Sequence, residues 1–346
     1  MRAAVTQARA TMTVVDVPDS GAPGPGQVSV WPEAVGLCGS DFHYFLGDIG
    51  AVDSSSLYPR IQGHEAAGVV DEVGPDCPSG LVAGARVAIW PLISCGHCYP
   101  CRIGRHNVCA NIELVGIHRD GALQERVLLP AAQVFPVGAQ DPALSALIEP
   151  VSIAVQAVGR GRVVAGERVV VFGAGPIGQA IAVAATDRGA DVLLLDRVAS
   201  RLECGRGVGV EVLAVADVDQ TVAAAREWAG GDGPEVVFEA TGASAVTPTA
   251  VELVSPAGRV VVVGLAHDEA PLRMGDLAFK ELDILGVSCC DAGGFAEAVS
   301  LVARRQETLS ALVTHEFALE QTPEAIVYAI EHPNEVMKAV IRLEEQ

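Results

Sequence analysis

The stretch "RVVVFGAGPIG" (168–178) constrains the fold of this chain more than any other. The β-branched run Val169 to Val171 reads as a buried strand, and Gly173-x-Gly175-x-x-Gly178 follows it at once, with Pro176 and Ile177 inside the loop. "QAIAVAATDRGA" continues with helical character, and a second apolar run, "DVLLLD", ends at Asp196, 18 residues beyond Gly178. Glycines at those positions permit a tight turn and let a pyrophosphate approach a helix N-terminus, while an acid ending the second strand takes ribose hydroxyls. A bare glycine triplet carries little weight. With a strand before it, a helix after it and the acid in place, it marks a dinucleotide-binding βαβ unit.

Asp196 would repel a 2′-phosphate and so favours NAD. Arg197 beside it could receive that phosphate, which keeps NADP as the alternative; Arg201 is grouped with the same contacts. Strand and turn alternate again in "EVVFEATG" (235–242), "GRVVVVGL" (258–265) and "LDILGVS" (282–288). The first two run straight into glycine turns, which lie at the carboxyl edge of a parallel sheet where ligands bind. Thr241 and Gly264 are therefore expected cofactor contacts, with plain turn chemistry as the other explanation.

A second feature is "SCGHCYPCRIGRHNVC" (94–109), with Cys95, Cys98, Cys101 and Cys109 spaced C-x2-C-x2-C-x7-C among Gly96, Pro100 and Gly104. Short loops between thiolates let a backbone wrap one tetrahedral zinc ion, and four sulfurs leave no position for water or substrate. Such a site is structural. An iron–sulfur cluster is the lesser alternative, and scattered core cysteines fit this density poorly.

The chemistry must then lie elsewhere. "GLCGSDFHYF" carries Cys38, Ser40, Asp41, His43 and Tyr44; "YPRIQGHEAAGVVDEVG" carries His64 and Glu65; far downstream "ALIEPVSIAV" carries Glu149. Thiolate, imidazole and carboxylate from separate segments suit a catalytic zinc with room for a water. Each piece alone is more often structural; the ordered set is what points to a metal.

The chain has 346 residues, enough for two domains with their own cores. Its net charge of −20 repels phosphate backbones, so nucleic acid and anionic membranes are unexpected partners. No apolar run approaches the ~20 residues of a membrane helix, and "MRAAVTQARATMTVVDVP" lacks the marks of a secretory signal. The expectation is a cytoplasmic protein, in which nine clustered and scattered cysteines stay reduced and favour a metal over disulfides.

Taken together, "CGSDFHY", "GHEAAGVV", the four-cysteine lobe, "EPVSIAV", "GAGPIG" and "EATG" resemble the zinc-dependent medium-chain dehydrogenases from end to end. The resemblance implies an α/β fold: a GroES-like β-rich catalytic domain over 1–149 with its zinc lobe at about 90–112, a doubly wound Rossmann domain over 150–289, and a C-terminal return over 290–346, with a cleft between the domains. It implies two zinc ions, one closed by the four cysteines and one held by Cys38, His64 and Glu65 or Glu149, the choice between the two carboxylates staying open. "EPVS" puts Glu149 where simple-alcohol dehydrogenases have a cysteine, which is nearer the sorbitol, threonine and sugar-acid branch. After "LDILGV", Ser288, Cys289 and Cys290 replace the Arg-Tyr pair of sorbitol dehydrogenase, so sorbitol itself is not the expected substrate.

By the same resemblance, Ser40 accepts the alcohol proton and His43 passes it outward, while hydride moves to the nicotinamide, backed by Ile177 and Ile153. Tyr44, Arg60, His118 and Arg119 are candidates for the substrate pocket. The implied activity is oxidation of a secondary alcohol of a polyol or sugar acid with NAD+, by a homodimer or homotetramer. Cyclitol, aminocyclitol or threonine-type dehydrogenases are the alternatives. A non-catalytic zinc protein would show a damaged ligand set, and a zinc-free reductase of the superfamily would lack the cysteine and Gly-His-Glu elements; neither is the case.

Overall fold

The valine-rich runs become strands. In the computed structural model, which describes residues 1–48, 58–266 and 268–343, Arg168–Phe172, Asp191–Asp196, Val236–Glu239 and Arg259–Val262 share one six-stranded sheet with Glu211–Ala214 and Asp283–Gly286. Every pairing in it is parallel. Numbered along the chain, these strands stand in the order 3-2-1-4-5-6, the doubly wound arrangement of a Rossmann domain. Val169, Val170, Val171, Val236, Val237 and Phe238 have no exposed surface. Strands covered on both faces read as unbroken apolar runs rather than alternating ones. The edge strand Asp283–Gly286 is different, with three of its four residues exposed.

This unit spans 150–290, and the other collects 1–149 with 291–346. Cys290 thus goes with the parallel sheet, one residue past the junction expected from sequence.

The discontinuous unit is β-rich. Its larger sheet has Gln27–Gly36 at the centre, with Glu65–Val73 antiparallel on one side and Lys338–Arg342 antiparallel on the other. Lys338–Arg342 in turn pairs in parallel with Val313–Ala318, the crossover being the helix Thr322–Glu331. In this register Gly36 lies opposite Glu65 on one neighbour and Val340 on the other. Residues from three distant parts of the chain are thereby brought to one end of the sheet. Inward-facing Val28, Val30, Val35, Ala66, Ile89, Leu123, Leu129 and Ile341 form the core beneath it.

One expectation needs amending. Pro142–Arg160 is, by length and composition, apolar enough to cross a membrane. It carries Glu149 and Gln156, and 72% of it is buried inside the protein, as in a core helix of a folded unit.

Candidate metal and cofactor sites

Cys95, Cys98, Cys101 and Cys109 place their sulfurs within 4.8 Å of one another, and none is in a disulfide. Cys98 Sγ stands 3.4 Å from Cys101 Sγ and 3.8 Å from Cys109 Sγ. A tetrahedral zinc with sulfurs at ~2.3 Å needs edges of about 3.8 Å, so the four sulfurs fit that ion. Gly96 and Gly104 turn the loop through positive φ (75° and 78°). Backbone N–H groups donate to the sulfurs: Cys95 N to Cys109 Sγ at 3.3 Å, Asn111 N to the same sulfur at 3.3 Å, and Ala110 N to Cys98 Sγ at 3.5 Å. Backbone N–H groups at His97 and Cys98 pull the Cys95 thiol down to about 5, whereas burial pushes Cys101 up to about 11. The lobe offers four sulfur donors to a cation.

The second constellation is assembled by the strand register through Gly36. Cys38 caps the helix Gly39–Leu46, and His64 immediately precedes the strand Glu65–Val73, which Glu65 opens. Their ligand atoms all lie within 4.8 Å of one another. Thiol, imidazole and carboxylate form a mixed donor set of the kind catalytic zinc takes, with a position left for an exchangeable ligand. His64 and Glu65 are buried, and Cys38 partly so.

Two further residues complete this site. Asp41, fully buried, accepts from Cys38 N at 2.9 Å and lies 3.5 Å from His64 Nδ1. Burial opposes its ionisation, but the His64 ring outweighs that and holds the carboxyl below its usual range; His64 is raised well above its own for the reciprocal reason. A carboxylate behind a ligating histidine fixes the ring and raises its basicity. Gln62 Nε2 donates to Asp41 O at 2.9 Å and to Asp41 Oδ1 at 3.3 Å, and Gln62 Oε1 accepts from Thr6 Oγ1 at 2.5 Å, tying the site to the first strand. The other addition is Lys338, whose buried ammonium donates to both oxygens of Glu65 at 2.7 and 2.6 Å.

Glu149 lies outside the mutual triad, yet its carboxyl feels the same groups. Loss of water around it pushes its pKa up to about 7; Glu65 and Asp41 push the same way, while His64 and Lys338 oppose them. It is a second carboxylate within reach of the charges that surround the ligand set.

Ser40 Oγ is 3.3 Å from His64 Nε2, so the hydroxyl stands beside the ligand cluster. His43, three residues on, has a half-exposed ring that pairs with Asp48 Oδ1 at 3.0 Å from Nδ1. Tyr44 has no exposed surface and packs edge-on against Tyr58, with Ile117 and Leu114 around it. Burial pushes the Tyr44 phenol up and the nearby Arg60 guanidinium opposes this, while Arg60 donates to Asp120 Oδ1 at 3.3 Å. His118 Nδ1 accepts from Leu114 N at 3.0 Å, and exposed Arg119 pairs with Glu113.

In the other unit, the glycine loop has the form a dinucleotide requires. Gly173 has φ 98°, and a Cβ on Gly178 would fall 1.7 Å from Gly173 O. At Gly175, by contrast, a Cβ would point into open space, which is where a phosphate approaches the start of the helix Pro176–Asp187. Asp196 Oδ2 accepts from Ala174 N at 2.7 Å and Oδ1 from Val198 N at 2.8 Å, so the acid also braces the loop. Arg201 lies 3.9 Å from it, Arg197 is exposed, and Ile177 and Ile153 are partly buried. Buried Glu239 accepts from Thr241 N at 2.7 Å, from Gly242 N at 3.1 Å and from the Thr241 hydroxyl. A Cβ on Gly264 would meet Gly242 N at 2.2 Å, so turn packing alone requires glycine there.

Comparison with known proteins agrees with this geometry. Residues 24–139 match the family model described as alcohol dehydrogenase GroES-like domain, and 176–304 match that described as zinc-binding dehydrogenase. The chain is 34% identical over 295 residues to 2-dehydro-3-deoxy-L-galactonate 5-dehydrogenase of Pseudoalteromonas atlantica, covering 85% of each. It is 35% identical over 316 residues to sorbitol dehydrogenase of Rattus norvegicus, covering 87% of this chain and 85% of that one. Among solved structures, the rspB alcohol dehydrogenase of Escherichia coli, complexed with NADH, superposes with a TM-score of 0.88 at 29% identity, over 99% of both chains.

Proposed function

This chain belongs to the zinc-dependent medium-chain alcohol dehydrogenases, and on that premise we propose that it takes hydride from a secondary alcohol of a polyhydroxylated substrate, a polyol or sugar acid, and delivers it to NAD+. The observation that carries the proposal is the open cluster of Cys38, His64 and Glu65 with the Ser40 hydroxyl 3.3 Å from His64.

Cys38 and His64 would hold the catalytic zinc together with a carboxylate, Glu65 or Glu149, and the four cysteines of the lobe would hold a second, structural ion. Zinc at the open site supplies Lewis acidity, which makes the proton of a substrate hydroxyl easier to remove. The chain's own residues do the rest. Ser40 Oγ stands where it can accept that proton, and Asp41 keeps the His64 ring in one orientation. His43, paired with Asp48, offers an exit for the proton at the surface. Cofactor binding falls to the Gly173–Gly178 loop, and Asp196, a carboxylate at the end of the second strand, supports NAD over NADP.

The substrate class rests on the two carboxylates beside the ligand set and on the sugar-acid and polyol activities named for the relatives. Arg60, whose guanidinium donates to Asp120 Oδ1, is the candidate partner for a substrate carboxylate. A panel of polyols, aldonates, cyclitols, threonine and simple alcohols with NAD+, read by the absorbance of reduced nicotinamide, tests the proposal. Polyhydroxylated secondary alcohols should turn over fastest; ethanol proving the best substrate by a wide margin would overturn the assignment.

A further inference from the structure

Glu239 ends the fourth strand of the parallel sheet, Val236–Glu239, and is 1% exposed. One carboxylate oxygen, Oε1, accepts from three donors in the turn that follows: Thr241 N at 2.7 Å, Gly242 N at 3.1 Å and the Thr241 hydroxyl. Its backbone carbonyl accepts two more from the end of the fifth strand, Val263 N at 2.9 Å and Gly264 N at 3.0 Å. The same turn meets the glycine loop. Ala240 N donates to Phe172 O at 2.8 Å, and a Cβ on Gly173 would lie 2.9 Å from Ala240 O. One buried residue thus sits where the ends of strands one, four and five come together. We propose that Glu239 is a positioning residue for the nicotinamide half of the cofactor, acting through the turn at 240–242 without touching the cofactor itself. The proposal rests on the reading of this unit as the NAD site.

Topology and hydrogen-bond inventory give the reason. In a sheet of order 3-2-1-4-5-6 a dinucleotide crosses the point between strands one and four where the order reverses, with one nucleotide over each half. Asp196, ending strand two, serves the adenosine half, so the turn after strand four serves the other. What that turn can offer is mainly backbone. The Thr241 hydroxyl donates to Glu239 and accepts from Ala243 N at 3.0 Å, so its proton and one lone pair are already used. Backbone groups hold a ligand well only when their geometry is fixed beforehand, because ordering at the moment of binding subtracts from affinity. Without the carboxylate, the amides of Thr241 and Gly242 lose their common acceptor and the turn its fixed shape. The adenosine side has ties of its own: Gly173 N donates to Leu195 O at 2.8 Å and Ala174 N to Asp196 Oδ2 at 2.7 Å. Neither involves Glu239.

The experiment titrates the full-length, zinc-loaded protein in a calorimeter with NADH and, separately, with ADP, which carries the adenosine half and the pyrophosphate but no nicotinamide. In Glu239→Leu the affinity for NADH should fall about 10–100-fold, the effect of hydrogen bonds lost from a charged acceptor. The affinity for ADP should stay within about threefold of native, as for a site with no shared partner. Native affinity for NADH overturns the proposal. So does an equal loss for NADH and ADP, which would make Glu239 a prop of the whole loop cluster. Glu239→Asp keeps the charge but draws the carboxylate back by one methylene; it should show the same split and carries the decision should the leucine variant not fold. Glu239→Gln is the rescue, since no donor among the described residues meets Oε2 and an amide can keep its oxygen at Oε1. It should bind both ligands within about threefold of native. A loss of NADH affinity as large as with leucine would show that charge, not the hold on the turn, is what counts, and would overturn the proposal. A native protein that binds neither NADH nor ADP would fail the cofactor reading itself, and this proposal with it.

Discussion

Gly36 faces Glu65 across neighbouring strands, and a Cβ on Gly36 would lie 2.3 Å from Glu65 Oε2. The glycine is there for the carboxylate. Its φ is not in the left-handed region, since Gly36 is absent from the positive-φ residues, so alanine costs nothing in backbone conformation and the effect of a substitution is steric.

Gly36→Ala should therefore push the Glu65 carboxylate off Lys338. We expect a loss of about 1–3 kcal/mol of stability, the range for overpacking a filled site, and a weaker hold on the metal at the open site. Thermal unfolding and elemental analysis of the purified variant check both. Native stability together with native metal content would show that the close approach is relieved without consequence.

The two metal sites should separate under mutation. Cys101→Ser removes a ligand from the closed lobe, where metal binding supplies folding free energy, so this variant should lose zinc there and unfold at lower temperature. Cys38→Ser should lose the other ion and turnover while melting closer to the native protein. Elemental analysis of the native protein should find about two zinc ions per chain. One or none would contradict the assignment of two sites.

Much of this was legible in the sequence, and for identifiable reasons. The Rossmann sheet was, because strands buried on both faces must be apolar throughout, as Val169 to Val171 are, and because Gly178 answers to a contact within its own loop, at Gly173 O. The clustering of the four cysteines was, because they are close in sequence. Lys338 was not: it is separated from Glu65 by 273 positions, and only the register through Gly36 joins them. A lone lysine in "MKAVI" looks like a solvent-facing strand residue. Asp41 was seen as a neighbour of Cys38, but its place behind His64 depends on the helix cap that turns it inward. The signal for Lys338 was present in one respect, since it is one of only two lysines in a chain rich in arginine.

Asp196 carries the cofactor prediction, and the structure adds to it. The carboxylate accepts from both Ala174 N and Val198 N. Asp196→Ala should lower kcat/KM with NAD+ by about 10–100-fold, the effect of a lost hydrogen bond to a charged group, and change NADP+ far less. The preference for NAD+ should narrow accordingly. Parallel initial-rate measurements with the two cofactors decide it; a native enzyme faster with NADP+ at equal concentration would make Arg197 the dominant residue.

The last prediction concerns assembly. Arg259–Val262 is an interior strand of its sheet, whose edges are Glu211–Ala214 and Asp283–Gly286. Shortly before Asp283–Gly286 in the chain come Phe279, 93% exposed, Leu265 at 82% and Met274 at 70%, and the helix Met274–Phe279 has no buried residue. A parallel edge strand and large exposed apolar side chains are each a template for another chain. A second copy of this protein, meeting the first edge to edge about a two-fold axis, would cover the Asp283–Gly286 edge; a self-complementary patch is what such symmetry requires. A stable interface needs about 800 Å² from each partner, with its energy concentrated in a few apolar anchors. Phe279→Asp together with Met274→Asp should therefore shift a homodimer or homotetramer toward smaller species in light scattering at micromolar concentration, leaving the unit's core untouched. Should the native protein scatter as a monomer under the same conditions, this edge would need another explanation.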